Sequence, residues 1–322
     1  MRIYIVLLGL IVAMISVGAT FDTEQPSNKI TLGRRLFFDP ILSRNRTISC
    51  ATCHREEFAF ADTSATSQGV FGRKGKRNTP SAMNVLFQAN FFWDGRAATL
   101  EEQALMPIIN PDEMDLPIDV AVKRLNSRRS YRAQFRQVFG ELPTKTNLAL
   151  ALAEFQKTLE TNESALDDWR MNDNEAAVSE SAKRGFALFN GKANCVQCHF
   201  GANFNNSDFR NIGLFDGKML ADSGRAVVTK KAGDLGKFKI GPLRNIALTA
   251  PYMHNGMFKT LGQVIDYYND PDKVVPNSIN RDPLLAKPLG LTNEEKADLE
   301  HFLRSLTDKR FLTSAEPKRK AP

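Results

Sequence analysis

The spacing of apolar positions along the chain predicts a mostly helical protein. Leu148, Leu152, Phe155 and Leu159 repeat at i, i+4, i+7 and i+11, the stripe of a long amphipathic helix. Thr99 and Glu102 form a capping box, and the helix they open is expected to close at Pro107. Thr260 and Gln263 form another, with an end expected near Asn269-Asp270-Pro271. Thr292 and Glu295 open a last helix that carries Leu299, Phe302, Leu303 and Leu306 on its apolar face. Alternating apolar and polar runs are scarce, so little sheet is expected.

The N-terminus follows a different pattern. Arg2 precedes an apolar run from Ile3 to Ala19, which ends in the small residues Val17-Gly18-Ala19. This reads as a secretory signal cleaved after Ala19. The competing reading is a retained anchor, for which the run is short of the ~20 residues of a membrane span. Nothing else approaches that length, so a soluble exported protein is expected. The 322 residues suffice for two domains, and 42% hydrophobic residues can give each a core. A Gly-x-x-Leu-Phe pattern occurs twice, at Gly33 to Phe37 and Gly185 to Phe189, and suggests a duplicated unit. The net charge of +7 changes little. No basic stretch is interleaved with aromatics as a nucleic-acid platform requires, and Lys318-Arg319-Lys320 reads as a solvated end.

The cysteines do change the picture. All 4 lie in two Cys-x-x-Cys-His motifs, Cys50/Cys53/His54 and Cys195/Cys198/His199, about 145 residues apart. Export would favour disulfides, but a disulfide pair or a redox Cys-x-x-Cys has no need of the following histidine. Zinc needs four ligands and each motif offers three. The pattern is that of covalent c-type haem attachment, two thioether bonds and one axial imidazole per motif. The unpatterned stretches Asp62 to Asn78 and Asn203 to Gly241 then read as loops wrapping haem. His54 and His199 are the proximal ligands, and the sixth position on each iron decides function. A second strong ligand makes an electron carrier; an open position admits a small oxidant. No histidine lies between His54 and His199, although methionines such as Met83, Met106 and Met114 do. His301 reads as a surface or structural residue. His254, in the turn-rich run Thr249 to Gly256, reads equally as ligand or as buried hydrogen-bonding group.

These residues, taken together, resemble the bacterial dihaem cytochrome c peroxidase and MauG family. The likeness runs from about Ile30 to Thr307. It is carried by Leu32 to Pro40, Ser49 to His54, Arg77-Asn78-Thr79-Pro80-Ser81, and Phe92-Trp93-Asp94-Gly95-Arg96 through Glu113. Further on it is carried by Leu188 to Gly191, Leu243-Arg244-Asn245 and Thr249 to Gly256. The resemblance implies a mainly α protein of two cytochrome c-like domains with long loops, each wrapping one covalently bound haem c. The first haem would react with hydrogen peroxide and the second would relay electrons. Carried over by position, Gln103 and Glu113 would line the peroxidatic pocket. Glu113 would move a proton between the peroxide oxygens, and Trp93 would stand between the haems. A calcium ion would be held by Asn78, Thr249 and Pro251, the last two through backbone carbonyls. His254 would lie near the inter-haem region without ligating iron. Where reductively activated members have methionine, fourteen residues after His254, this chain has Tyr268. Leu261, Val264, Ile265 and Tyr268 share a helix face from which Tyr267 is rotated, so Tyr268 becomes the expected second-haem ligand, as in MauG-like members. Departures from the family pattern are Asn255, Ile240-Gly241-Pro242 and Arg210, all around the second haem.

The expected organisation is a signal peptide at 1–19, a first domain at 20–170, a linker at 171–180 and a second domain at 181–322. The expected function is periplasmic reduction of hydrogen peroxide to water with electrons from a small cytochrome c or copper protein. One alternative is a MauG-like oxidase that uses high-valent haem to modify side chains of a partner protein; another is a plain electron carrier. The only tryptophans are Trp93 and Trp169, and the residues immediately before the second motif are Ala193-Asn194, so no surface tryptophan is expected there to pass holes to a docked protein, which tilts toward the peroxidase. Family members are often homodimers, and the sequence marks no interface.

Overall fold

The computed structural model describes residues 28–312. The predicted leader and the basic run at 318–320 lie outside the described residues. In chain order the helices are α1 (Lys29–Phe38), α2 (Cys50–Cys53), α3 (Leu100–Ile109), α4 (Ile118–Asn126), α5 (Arg129–Phe139) and α6 (Lys145–Lys157). They continue with α7 (Ala165–Met171), α8 (Glu180–Asn190), α9 (Ala226–Thr229), α10 (Leu261–Asn269), α11 (Asn293–Ser305) and α12 (Lys309–Leu312). Among the described residues the only strand pair is β1 (Phe209–Arg210) with β2 (Phe238–Lys239), antiparallel, Phe209 opposite Lys239. No helix among them is long and apolar enough to cross a membrane.

The repeated Gly-x-x-Leu-Phe pattern marks two similar helix crossings. A Cβ on Gly33 of α1 would overlap the Ala151 carbonyl and crowd Phe155 of α6. A Cβ on Gly185 of α8 would overlap the Asp298 carbonyl and crowd Phe302 of α11. Glycine lets the two backbones touch, and the phenylalanine that ends each pattern packs across the crossing. Phe37 meets Phe155 edge-on at 5.2 Å, and Phe189 meets Phe302 at 5.0 Å. Each crossing anchors its own core. The first gathers Leu36, Phe37, Ile108, Leu125 and Leu152, the second Phe189, Ile265, Tyr267, Leu299 and Phe302. Leu166 and Trp169, which precede the predicted linker, pack with the second core. Phe311 of α12 returns to the first.

Two of the three predicted capping boxes close, those of α10 and α11; at α3 the Glu102 carboxylate accepts from the Ala98 N–H instead of that of Thr99. Thr99, Thr260 and Thr292 each accept from the backbone N–H three residues on. α10 spans its predicted residues, and α11 ends at Ser305, so Leu306 of its predicted face is the C-cap, still buried. α3 does not stop at Pro107 but continues to Ile109. A proline inside a helix costs about 3 kcal/mol. Here it lies in the last turn, and the next residue, Ile108, is wholly buried in the first core, which returns about 1.5–3 kcal/mol. α6 is capped by Thr144 and ends at Lys157, so Leu159 of the predicted stripe lies past its end, still buried.

The two halves meet around Trp93. Arg77 donates to Asp94 at 2.6 Å and, through two nitrogens, to Asp222 at 2.7 and 2.8 Å. The Asn78 N–H donates to the His254 carbonyl, and the Lys239 N–H to the Trp93 carbonyl, both at 2.7 Å. Arg225 donates to the carbonyls of Asp94 and Gly95. Of the two loops read as haem wraps, 62–78 contains only a short 3₁₀ turn at Val70–Gly72, whereas 203–241 contains β1, α9 and β2.

Candidate active site

Cys50 and Cys53 stand at the two ends of α2, one turn apart, so both thiols project to one side. The helical turn places the His54 N–H on the Cys50 carbonyl at 2.9 Å. The second motif repeats this on a 3₁₀ turn, with the His199 N–H on the Cys195 carbonyl at 2.9 Å. All four thiols are free. Burial pushes Cys50 and Cys195 each up to about 12 and Cys53 to about 11. A redox Cys-x-x-Cys pair needs the opposite shift.

Each histidine is also held from its far side. His54 Nδ1 lies 2.9 Å from the Phe60 carbonyl, and His199 Nδ1 lies 2.9 Å from the Phe204 carbonyl. A carbonyl only accepts, so Nδ1 carries the proton and Nε2 is the free donor atom. Burial lowers the proton affinity of both rings, opposed by these carbonyls and, for His199, by that of Gly241. A neutral imidazole with an unprotonated Nε2 is the form that ligates iron.

The first motif opens on a cavity of about 890 Å³, at the upper end of the roughly 300–1,000 Å³ typical of cofactor sites. Apolar side chains line it, Phe37, Ile48, Leu100 and Leu152 among them, and Gln103, Asn110 and Glu113 also face it. These walls and the three motif side chains fit a covalently bound haem. Glu113 is close enough to Cys50 and Cys53 that its charge raises both thiols. Burial raises the proton affinity of Glu113 itself; the Asn110 hydrogen bond and the charge of Arg96 oppose this. Asn110 Nδ2 donates to Glu113 Oε1 at 2.7 Å. Arg96 stacks on Phe92, 3.6 Å from the ring centre, and pairs with Asp94. Gln103 comes from the first turns of α3, while Asn110 and Glu113 follow its end. Sequence reasoning missed Asn110. Its one signal was its place as the residue after a helix, three before the glutamate.

Trp93 borders the same cavity and donates Nε1–H to the Asn78 carbonyl at 2.8 Å. Its ring meets His254 edge-on at 6.5 Å, and His254 stacks on Phe238 at 3.8 Å. Burial pushes His254 down to about 4, so it is neutral at pH 7. Asn78, Thr249 and Pro251 also border the cavity. The Asn78 amide nitrogen faces the carbonyls of Ser64 and Ala65, and its oxygen takes no donor among the described residues. Among those residues no group of three His, Cys, Asp or Glu could hold a metal. A cation here would rest on amide and carbonyl oxygens, a donor set for a hard ion such as calcium.

The second motif faces α10. Tyr268 lies where the charges of Cys195 and Cys198 reach it; these, after burial and the neighbouring Tyr267, hold its phenol far above the usual tyrosine range. Its hydroxyl has no hydrogen-bond partner among the described residues. The sequence reading set Tyr267 apart from the apolar face, but Tyr267 is the more deeply buried of the two, with 0% exposure. The end of α10 is enclosed on more than one side, and Tyr267 spends its hydroxyl on the Ile212 carbonyl at 2.6 Å. The two tyrosines thus differ in what their oxygens are free to do. Around them, Arg244 is buried in a two-pronged pair with Asp167 at 2.5 and 2.7 Å. Arg210 pairs with Asp282 and Asp208. His301 shares Ser181 with Asp298 on the surface of α8 and α11.

The sequence profile of the di-haem cytochrome c peroxidase family matches residues 27–175. The methylamine utilization protein MauG of Methylorubrum extorquens is 39% identical over 280 residues, 86% of this chain and 78% of its own. The cytochrome c551 peroxidase of Nitrosomonas europaea is 37% identical over 270 residues, 80% of each chain. The crystal structure of a MauG-like protein associated with microbial copper homeostasis superposes with a TM-score of 0.81 at 33% identity, covering 92% of this chain and 93% of that one.

Proposed function

Since the chain belongs to the di-haem cytochrome c peroxidase and MauG family, we propose that it is a periplasmic peroxidase. It reduces hydrogen peroxide to two waters at the first haem, taking two electrons from a small cytochrome c or copper protein by way of the second. The observation that carries this reading is the inequality of the two sites. A carboxyl with raised proton affinity faces Cys50 and Cys53, whereas an uncommitted phenol faces Cys195 and Cys198.

Cys50, Cys53 and His54 would hold one haem and Cys195, Cys198 and His199 the other; bound there, haem supplies the redox equivalents. The protein supplies the proton chemistry. Glu113 takes the proton from the near oxygen of peroxide and returns it to the far oxygen, which leaves as water. A raised proton affinity suits both halves of that exchange. Asn110 fixes which way the carboxyl points, and the Gln103 amide orients the peroxide. Tyr268 would close the second site, and its phenol, which burial keeps protonated, would lose its proton only beside a cation such as a haem iron held there. Trp93, fixed by its hydrogen bond to the Asn78 carbonyl, would serve as the electron path between the sites, and Asn78, Thr249 and Pro251 would hold a calcium ion that stiffens that junction.

Tyr268 together with the likeness to MauG favours a second reading, oxidation of side chains on a docked partner protein. Stopped-flow mixing of the oxidised, haem-loaded protein with peroxide tests both. A direct reaction without prior reduction, followed by oxidation of two equivalents of a reduced donor per peroxide, is expected. A persistent oxidised species that a donor discharges slowly favours the second reading. Low-spin, six-coordinate spectra for both haems, with no reaction, leave only an electron carrier.

A further inference from the structure

The Lys239 side chain reaches inward from β2. Its Nζ donates to the Asn90 carbonyl at 2.9 Å and to Gln88 Oε1, and it lies 6.0 Å from the centre of the Phe91 ring. All of these partners are neutral. Lys239 forms no ion pair among the described residues, although Arg77 and Arg244, which are also enclosed, are each paired with carboxylates. Lys239 is half-buried, an ammonium partly withdrawn from water without a counter-charge is costly, and desolvation alone pushes this one down to about 8.

Lys239 borders the cavity that holds Cys50, Cys53 and His54. On its other side it borders a smaller cavity of about 180 Å³, whose polar walls are Gln88, Asn90, Asn205, Asn206 and Ser207. None of these carries charge. The missing counter-charge therefore belongs in the larger cavity, on whatever fills it. Haem carries two carboxylates on one edge, and these need a cation when they are enclosed by protein.

We propose that Lys239 is the counter-ion of a propionate of the first haem, holding that edge of the cofactor and raising its reduction potential. The inference rests on the haem assignment of the preceding section but not on the reaction with peroxide. A positive charge near the iron favours the ferrous state, so its loss shifts the equilibrium toward ferric.

The test is spectroelectrochemical titration of each haem in the full haem-loaded chain, with no peroxide present. Lys239→Gln is expected to shift the ferric/ferrous equilibrium of the first haem about tenfold toward ferric, 59 mV for one electron. The second haem stays put, and Lys239→Arg stays near wild type. An unmoved first potential, or a shift confined to the second haem, overturns the proposal. A measurement on the wild-type protein covers the case in which Lys239→Gln fails to load haem. A lysine paired with a propionate is held well above pH 8, so the first potential should be flat from pH 7 to 9. A break near pH 8 that persists in Glu113→Gln would mark an unpaired lysine and overturn the assignment. The other charged groups bordering the large cavity include Glu113, Asp112, Lys76, Asp94 and Arg96 with Arg77, and Asp222. Across the strand pair, Arg210 is committed to Asp208 and Asp282. His254 titrates far below the window.

Discussion

His54 and His199 are held alike. Each ends a turn of Cys-x-x-Cys, rests its N–H on the first cysteine's carbonyl, and donates Nδ1–H to a carbonyl farther along the chain at 2.9 Å. Behind each stands a glycine crossing, α1 on α6 and α8 on α11, with a phenylalanine pair across it. The opposite walls are not alike. Over the first motif the chain sets an amide and an acid; over the second, a phenol. The same kind of scaffold thus holds both motifs, and the difference between the sites lies in the segments set opposite them. Those segments have different origins: Gln103, Asn110 and Glu113 come from α3 and the turn after it, Tyr268 from the far end of α10.

The comparison breaks most completely at Glu113. Glu113→Gln keeps the shape and removes the exchangeable proton. Peroxide-driven donor oxidation should fall by roughly 10²–10⁴-fold, with the haem content and the spectrum of the second haem unchanged. Unchanged stopped-flow rates would make the two sites chemically equivalent and remove the acid–base role.

Asn110→Ala sharpens the same contrast with a smaller effect. The Asn110 bond favours the charged carboxylate and opposes the dominant effect of burial. Without it the proton affinity of Glu113 rises further. In the proposed role Glu113 must be ionised to accept the peroxide proton, so activity would be lost as pH falls through its pKa, and the acid limb of the rate profile should move to higher pH. The stability term has the opposite sense. A carboxyl whose folded pKa is raised binds more protons folded than unfolded, so its ionisation lowers stability as pH rises. An acid limb that stays in place would show that Asn110 merely packs.

The motifs were legible in the sequence because covalent attachment fixes a short local spacing, and the caps because Thr-x-x-Glu and Thr-x-x-Gln are local as well. Glu113 was legible only through family resemblance, since in sequence it is one acid among Asp112 and Asp115. Lys239 was not legible at all. Its partners Gln88 and Asn90 lie about 150 residues away along the chain, and an unpaired charge is a property of what surrounds it in space. The two ends that misled, Pro107 and Tyr267, share a cause. Local rules of helix stopping and facing gave way to tertiary burial, of Ile108 in one case and of the enclosed end of α10 in the other.

The smallest expected effect separates the sites by distance along a helix. Thr99 and Thr260 cap α3 and α10 in the same way, accepting from the backbone N–H of Glu102 at 3.1 Å and of Gln263 at 3.2 Å. Either change to alanine should cost about 1 kcal/mol in a urea melt. The functional consequences should differ. Gln103 is the fourth residue of α3, and its N–H makes the first full helical bond, to the Thr99 carbonyl. Fraying at Thr99→Ala therefore reaches Gln103 on the wall of the first cavity and should slow the proposed peroxide reaction severalfold. Tyr268 is the eighth residue of α10, two turns from its cap and beside the fully buried Tyr267. Thr260→Ala should lose the same stability while the spectrum of the second haem stays unchanged. A spectral change of the second haem in Thr260→Ala would mean that Tyr268 is held by the start of α10 and not by the packing at its end.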